Sequence, residues 1–199
     1  SNASHHFSLG QSHSLEGNSE KAIEEYKLAL VYDPDSSVIH TRLAAEYIKR
    51  GLLTLAVEEC KDAIRLDPKY TDARLLLAGL YGASKMSKDA LAEYDAVIAA
   101  AQGVDQMESK REAYVFKSAL LIEEGQPKAA VESLKQLVKL DPEYFLGYFY
   151  LGKAHQDMGD VDSAAKNYKK ALALKSNFTQ AIIALGQLYE SKNRSKEAS

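Results

Sequence analysis

Tryptophan is absent from this 199-residue chain and cysteine occurs once, at Cys60. Without a second thiol there is no intrachain disulfide framework, so stability rests on a buried core, which a chain of this length can build. One cysteine fits a reducing or an oxidising compartment alike, which leaves localisation open, with a lean towards the cytoplasm. Neither sign of charge is in excess. Twenty-five basic against 28 acidic side chains give a net charge of −3, which argues against a general nucleic-acid binder. No apolar run approaches the ~18 residues that cross a bilayer, so direct membrane insertion is not expected. The glycine signatures G-x-x-x-x-G-K-[ST], G-x-G-x-x-G and G-x-S-x-G are all missing. What is present is 46% hydrophobic and 27% charged, the balance of an ordered globular chain. Ser1-Asn2-Ala3 has the look of a cleaved expression-tag scar and is set aside.

The informative feature is periodicity. Ala22, Ala56, Ala90, Ala130, Ala164 and Ala198 recur at spacings of 34, 34, 40, 34 and 34. The spacing predicts five full units of that period and a truncated sixth, over about 3–36, 37–70, 71–104, 111–144, 145–178 and 179–199, with a six-residue insertion at 105–110. Within each unit Leu9-Gly10, Leu43-Ala44, Leu77-Ala78, Leu151-Gly152 and Leu185-Gly186 stand at positions 7 and 8, where the fourth unit has Lys117-Ser118. Tyr26, Cys60, Tyr94, Leu134 and Tyr168 stand at position 24, and Pro34, Pro68 and Pro142 close three units.

Positions 4, 7, 8 and 11 share one face of a helix, and positions 20, 24 and 27 share one face of a second. A small residue at position 8 opposite alanine at 20 lets two backbones approach. Gly17, Gly51, Gly125 and Gly159 lie where a helix needs a left-handed terminal residue, and the Asp-Pro pairs stop the second helix. In the insertion, Asp105 and Glu108 have capping-box spacing, so Asp105 is expected to cap a first helix of the fourth unit lengthened by about a turn.

This template resembles the tetratricopeptide repeat family, whose signature is W-x2-L-G-x2-Y, then A-x3-F, then P in each repeat. The resemblance covers roughly residues 4–199. It implies an all-α, right-handed superhelical solenoid of antiparallel helix pairs, A and B, with the A helices lining a concave groove. Each unit needs its neighbours to bury its apolar stripes.

Positions 2, 5, 9 and 12 of helix A are the groove positions that the resemblance implies. Position 5 carries Phe7, Thr41, Leu75, Val115, Phe149 and Ile183, and position 12 adds Ile48 and Ile122. Five apolar residues in six are expected to form a continuous exposed stripe, the mark of a binding surface. Small residues at position 9, Ala45, Gly79 and Ala119, deepen the channel, flanked by Gln11, Lys153 and Gln187; Gly79 and Gly82 leave room for a bulky group. Lys49 and Lys153 are candidates to pair with acidic groups of a partner. The family's lysine and asparagine clamp for chaperone C-terminal tails is not matched: Phe7, Gln11, Arg42, Asp72 and Leu76 occupy its positions.

No catalytic, cofactor or metal site is expected. His6 and His40 at position 4, and His13 and His155 at position 11, stand in aromatic slots and read as packing surrogates. Cys60 and eight tyrosines stand on template positions and read as core. Acidic pairs such as Glu24-Glu25, Glu58-Glu59 and Glu123-Glu124 read as facing solvent or lying near helix ends. The expected function is a non-catalytic protein-interaction scaffold that binds an apolar helical or extended segment in its groove. The alternative is a targeting or regulatory module of a larger enzyme whose catalytic domain lies outside this chain, and weak self-association through truncated repeat edges is a further expectation.

Overall fold

A computed structural model describes the backbone of residues 1–197 and the side chains of residues 1–193. Ala198, the last alanine of the series, lies outside the described residues. Regular structure among the described residues is entirely helical: α1 (Asn2–Leu15), α2 (Ser19–Tyr32), α3 (Ser37–Lys49), α4 (Leu53–Leu66), α5 (Thr71–Ala83), α6 (Ser87–Ala100), α7 (Met107–Glu123), α8 (Pro127–Leu140), α9 (Phe145–Asp157), α10 (Val161–Leu174) and α11 (Thr179–Glu197). They form two compact units, Ser1–Lys110 and Arg111–Ser199. In the first, α1 packs on α2, α2 on α3, and so on in chain order to α6. In the second, α8 packs on α9, α9 on α10 and α10 on α11.

Local chemistry sets the helix ends. Asn18 Oδ1 accepts from the Lys21 amide at 3.2 Å, and Asp160 Oδ1 from the Ser163 amide at 3.1 Å, each satisfying an amide that the first turn leaves open. Pro127 opens α8, where its missing N–H costs nothing. The tight turns after α1, α3, α7 and α9 place Gly17, Gly51, Gly125 and Gly159 at φ of +71° to +77°. After α5 the same template position is Lys85, at φ 61°. A side chain there is strained where glycine is not. Asp67 and Asp141, each before a proline, leave the helix in extended geometry.

The inserted stretch forms a 3-10 turn, Val104–Gln106, that leads directly into α7. α7 has 17 residues against 13 in α3, α5 and α9, so the extra turn expected from the sequence is there. Asp105 is not its cap. It lies inside the 3-10 turn, which carries no side-chain cap hydrogen bond. Ahead of it the Gln102 amide donates to Gln106 Oε1 at 3.3 Å, and Lys110 Nζ ties α7 back to the Ala101 carbonyl at 3.1 Å.

The cores follow the template stripes. In the first unit Ala22, Tyr26, Leu43, Ala44, Tyr47, Ala56, Cys60 and Leu77 form one buried cluster; in the second, Phe149, Ala164, Tyr168, Ala171, Ala181 and Leu188 form another. The small residue at position 8 leaves room for a ring. A Cβ on Gly10 would lie 2.6 Å from the Tyr26 ring, and one on Gly152 would lie 2.6 Å from the Tyr168 ring. The glycine receives the tyrosine ring of position 24. Tyr189, one of the eight tyrosines read as core, is 40% exposed, because no second helix covers α11 among the described residues.

Candidate functional site

The histidines are not simple packing surrogates. His40 Nδ1 lies 2.6 Å from Glu59 Oε2, and its Nε2 lies 3.1 Å from the Pro34 carbonyl oxygen. With acceptors at both ring nitrogens the imidazolium can donate twice, and the Glu59 hydrogen bond holds the His40 pKa above its ordinary value against the opposing effect of burial. Arg74 repeats the arrangement one unit further on: its guanidinium donates to Glu93 at 2.7 Å and to the Pro68 carbonyl at 2.9 Å. Tyr148 keeps the second half, donating to the Pro142 carbonyl at 3.0 Å, and His6 keeps the first, 2.7 Å from Glu25. Position 4 is therefore a polar clasp. In α1, α3 and α5 its tip ties the helix pair together, and in α3, α5 and α9 it secures the proline turn before it. Glu25 and Glu59 accordingly face these partners rather than open solvent.

Two clefts gather part of the expected groove. The first, of about 320 Å³, is lined by Gln11, Ser14, Tyr26, Arg42, Ala45, Glu46 and Lys49 of α1, α2 and α3. Glu46 is 2% exposed; Lys49 Nζ donates to its Oε1 at 2.7 Å, as does Ser14 Oγ. Burial pushes the Glu46 pKa up, but hydrogen bonds from Lys49, Ser14 and Ser19 outweigh it and the net shift is downward. Lys49 is thus engaged within the chain. The second cleft, of about 400 Å³, is lined by Phe149, Tyr150, Lys153, Gln156, Tyr168, Gln180, Ile183, Ala184 and Gln187. Lys153 Nζ stands 5.9 Å from the Phe149 ring centroid and 5.7 Å from that of Tyr150, within cation–π range. Tyr168 donates to Gln156 Oε1 at 2.7 Å, which turns the Gln156 amide NH2 away from that contact.

The continuous exposed stripe is not observed. At position 5, Thr41, Val115 and Phe149 are 8%, 5% and 6% exposed. Phe149 packs edge-on against Phe178 at 5.0 Å and tilts against Tyr168, and Thr41 turns its hydroxyl back to the Ser37 carbonyl at 2.8 Å. Phe7 and Leu75 are half-buried, Phe7 against Tyr26, and Ile183 alone of the six is open. Ile48, Ala119, Ile122 and Gly82 are half-buried, and Gly79 is exposed; a Cβ at Gly79 or Gly82 would meet nothing within 4 Å. None of these five lines either cleft. Arg42, Glu46, Tyr150, Gln156 and Gln180 do line them and were not among the expected groove residues. Arg42 and Tyr150 both stand at position 6, one residue beyond the apolar stripe, which was the available signal.

Cys60 is fully buried, and burial together with Glu59 and Glu93 pushes its thiol up to about 12. Among the described residues no three His, Cys, Asp or Glu side chains come together as metal ligands. No described helix is long and apolar enough to cross a membrane.

Comparison with known proteins agrees with the spacing. A TPR repeat model matches residues 120–159, and tetratricopeptide repeat models match residues 145–178 and 6–36. The TPR repeat-containing protein YpiA of Bacillus subtilis is 27% identical over 139 residues, which are 70% of this chain and 31% of that protein. The chain spans less than a third of the length of the curated relatives it matches. Among solved structures, MamA superimposes with a TM-score of 0.73 at 22% identity, over 90% of this chain and 94% of that one. A tetratricopeptide repeat protein from Parabacteroides merdae gives 0.80 at 14% identity, over 99% and 76%. Alanines and turn glycines recurring at one period, helices packed in sequential pairs and three repeat-model matches lead to one assignment: the chain carries tetratricopeptide repeats, matched at residues 6–36 and 120–178.

Proposed function

We propose that this chain is a protein-interaction scaffold that binds a peptide segment of a partner in the cleft between α9 and α11. The family supplies the coarser part: tetratricopeptide repeats bind protein partners and are generally non-catalytic. The finer part rests on the chemistry of the second cleft. Ile183 is 53% exposed on its wall, beside the amides of Gln156, Gln180 and Gln187 and the ammonium of Lys153. An apolar side chain of the peptide covers Ile183, the amides hydrogen-bond its backbone, and Lys153 fixes its direction by meeting an acidic group. A chaperone C-terminal tail is not the expected ligand, since the clamp residues are absent and Lys49, the lysine of the first cleft, is held by Glu46.

Peptide phage display against the wild-type chain, with every selected peptide then titrated against wild type and a Lys153→Glu/Ile183→Glu variant, tests this. Both side chains are exposed, so the variant keeps its fold; glutamate at Val115 or Phe149 would instead bury a charge and unfold the unit. Covering half an isoleucine contributes about 1 kcal/mol, a factor of roughly five in affinity before the charge reversal is added. Selected peptides that carry an apolar residue next to an acid and bind the variant at least tenfold more weakly support the reading. Peptides that bind both proteins equally reject it.

A further inference from the structure

One helix pair lacks the clasp that joins position 4 to the helix after it. In α1/α2, α3/α4 and α5/α6 the clasp ends on a glutamate at position 23: Glu25, Glu59 and Glu93 lie 2.7, 2.6 and 2.7 Å from His6, His40 and Arg74. In α9/α10 that position is Asn167, whose amide donates back to the Ser163 carbonyl of its own helix at 2.9 Å, while the Tyr148 hydroxyl donates to the Pro142 carbonyl. Tyr148 and Asn167 share no hydrogen bond. An open cleft of about 450 Å³ lies there instead, lined by both residues and by Lys166, Lys169 and Lys170.

The outward face of the second helix changes sign with the clasp. Position 22 is Glu24 in α2 and Glu58 in α4 but Lys166 in α10, and position 26 is Asp62 in α4 but Lys170 in α10. With Lys169 the three ammoniums follow i, i+3, i+4 spacing on one exposed face. Asp162 is the one acid of α10, and Lys192 holds it at 2.9 Å. No carboxylate among the described residues pairs with Lys166, Lys169 or Lys170. Lys170 Nζ stands 5.7 Å from the Tyr148 ring centroid, on the wall of the cleft. Like charges one turn apart repel, and on an exposed face no packing requires them. This exposure belongs to the repeat rather than to its place in the chain: Glu24 and Lys27 of α2, and Glu58 and Lys61 of α4, are exposed at the same positions although further helix pairs follow both.

We infer that the lysine face of α10, with the cleft beside Tyr148, docks an acidic peptide segment of a protein partner. One carboxylate of the segment enters the cleft between Lys166 and Lys170, and its neighbours meet Lys169. Charge complementarity selects the ligand, and the surroundings narrow its class. No large apolar residue is exposed on α10 to enter a lipid surface. Three lysines on a chain of net charge −3 make too short a track for a nucleic-acid backbone. The cleft shares no lining residue with the one between α9 and α11, so the two sites stand or fall separately.

A fluorescein-labelled octaglutamate peptide, titrated with the full chain and followed by anisotropy, tests the site. Saturable binding is expected at low salt and falls as salt rises. Lys166→Glu/Lys170→Glu, which gives α10 the acids that α4 carries at Glu58 and Asp62, is expected to weaken it at least tenfold. Lys61→Glu/Arg65→Glu on α4 makes the same change of net charge and is expected to leave the affinity within a factor of about two. Tyr148→Arg/Asn167→Glu copies the Arg74–Glu93 clasp with no change of net charge; it closes the cleft, keeps every lysine, and is expected to weaken binding at least fivefold. Unchanged circular dichroism confirms that each variant is folded. No saturable binding to the wild-type chain, an equal loss in the α4 variant, or full affinity in the clasp variant overturns the inference. So does sedimentation of the wild-type chain, but not of Lys166→Glu/Lys170→Glu, with vesicles of phosphatidylserine and phosphatidylcholine when the peptide does not compete, which assigns the face to a lipid surface.

Discussion

Replacing glycine by alanine at one template position is expected to have opposite effects in two helices of the same unit. In the interior of a helix the change is worth about 1 kcal/mol in favour of alanine. At Gly152 the new methyl lies 2.6 Å from Cδ1 and Cε1 of Tyr168, about 1 Å inside normal carbon–carbon contact. The ring cannot swing clear: it is 1% exposed, packs against Phe149 at 5.8 Å between centroids, and is anchored by its hydroxyl to Gln156. Overpacking of this kind costs roughly 1–3 kcal/mol, and a displaced Tyr168–Gln156 hydrogen bond adds about 1 kcal/mol. Net destabilisation of about 1–3 kcal/mol is therefore expected for Gly152→Ala. At Gly186 the same methyl meets nothing within 4 Å, so Gly186→Ala is expected to stabilise by up to about 1 kcal/mol. Urea unfolding followed by far-UV circular dichroism orders the three proteins. Because repeat arrays can unfold in parts, hydrogen exchange in α9, α10 and α11 locates the change. A second substitution, Tyr168→Leu, is expected to recover part of the loss at Gly152, since leucine already fills position 24 in α8 at Leu134. Gly152→Ala more stable than wild type, or Gly186→Ala less stable, would show that the ring-on-glycine socket does not govern this pairing.

Three further outcomes are expected. The His40–Glu59 contact raises the His40 pKa above 6.5, so its contribution to stability is present below about pH 6.5 and is lost as pH rises through the higher folded value; His40→Gln is expected to flatten the part of the stability profile that falls as pH rises above about 6.5. Lys85→Gly relieves the one non-glycine residue at positive φ among the described residues and is expected to raise stability by about 1 kcal/mol in urea unfolding, with a loss of stability contradicting the strain argument. Ser118 is fully buried and its Oγ has no hydrogen-bond partner, so Ser118→Ala is expected to stabilise by about 1 kcal/mol in thermal unfolding; a matching destabilisation would point to a buried water on that hydroxyl.

The helix pairs were legible because the signals that make them are local. Spaced alanines, the glycines at positive φ and the Asp-Pro exits each act over a short stretch of chain, and a fixed period lets every unit report on the others. Asp105 shows where local reasoning stops. Its spacing from Glu108 suits a cap, but Gln106 returns its side chain to the Gln102 amide and Lys110 reaches back to the Ala101 carbonyl, and the chain takes a 3-10 turn. The position 4 clasps were illegible for a related reason. A histidine on an otherwise apolar stripe looks like a packing substitute until its partner, carried by the following helix, is seen beside it.

The groove was half legible, and position 5 shows why. A stripe rotated about 100° from the packing face escapes burial only if a helix has a single packed face. These A helices have more than one. Phe149 is enclosed by Tyr168 of α10 on one side and by Phe178, from the turn that follows α10, on the other, so apolar character at position 5 is largely what adjacent packing demands. Ile183 is open because α11 has no such neighbour on that side among the described residues. Apolar residues at a groove position therefore do not by themselves identify a binding surface in this fold. Better markers are polar groups that burial does not require: Lys153 held over two rings, Gln156 oriented by a tyrosine hydroxyl, and Gln180 and Gln187 beside them. Those residues stand at positions 9, 12, 2 and 9; the sequence pointed to Lys153 and Gln187 beside the groove, while Gln156 and Gln180 escaped a search for hydrophobic stripes, and all four are the ones whose replacement should alter binding while leaving the helices intact.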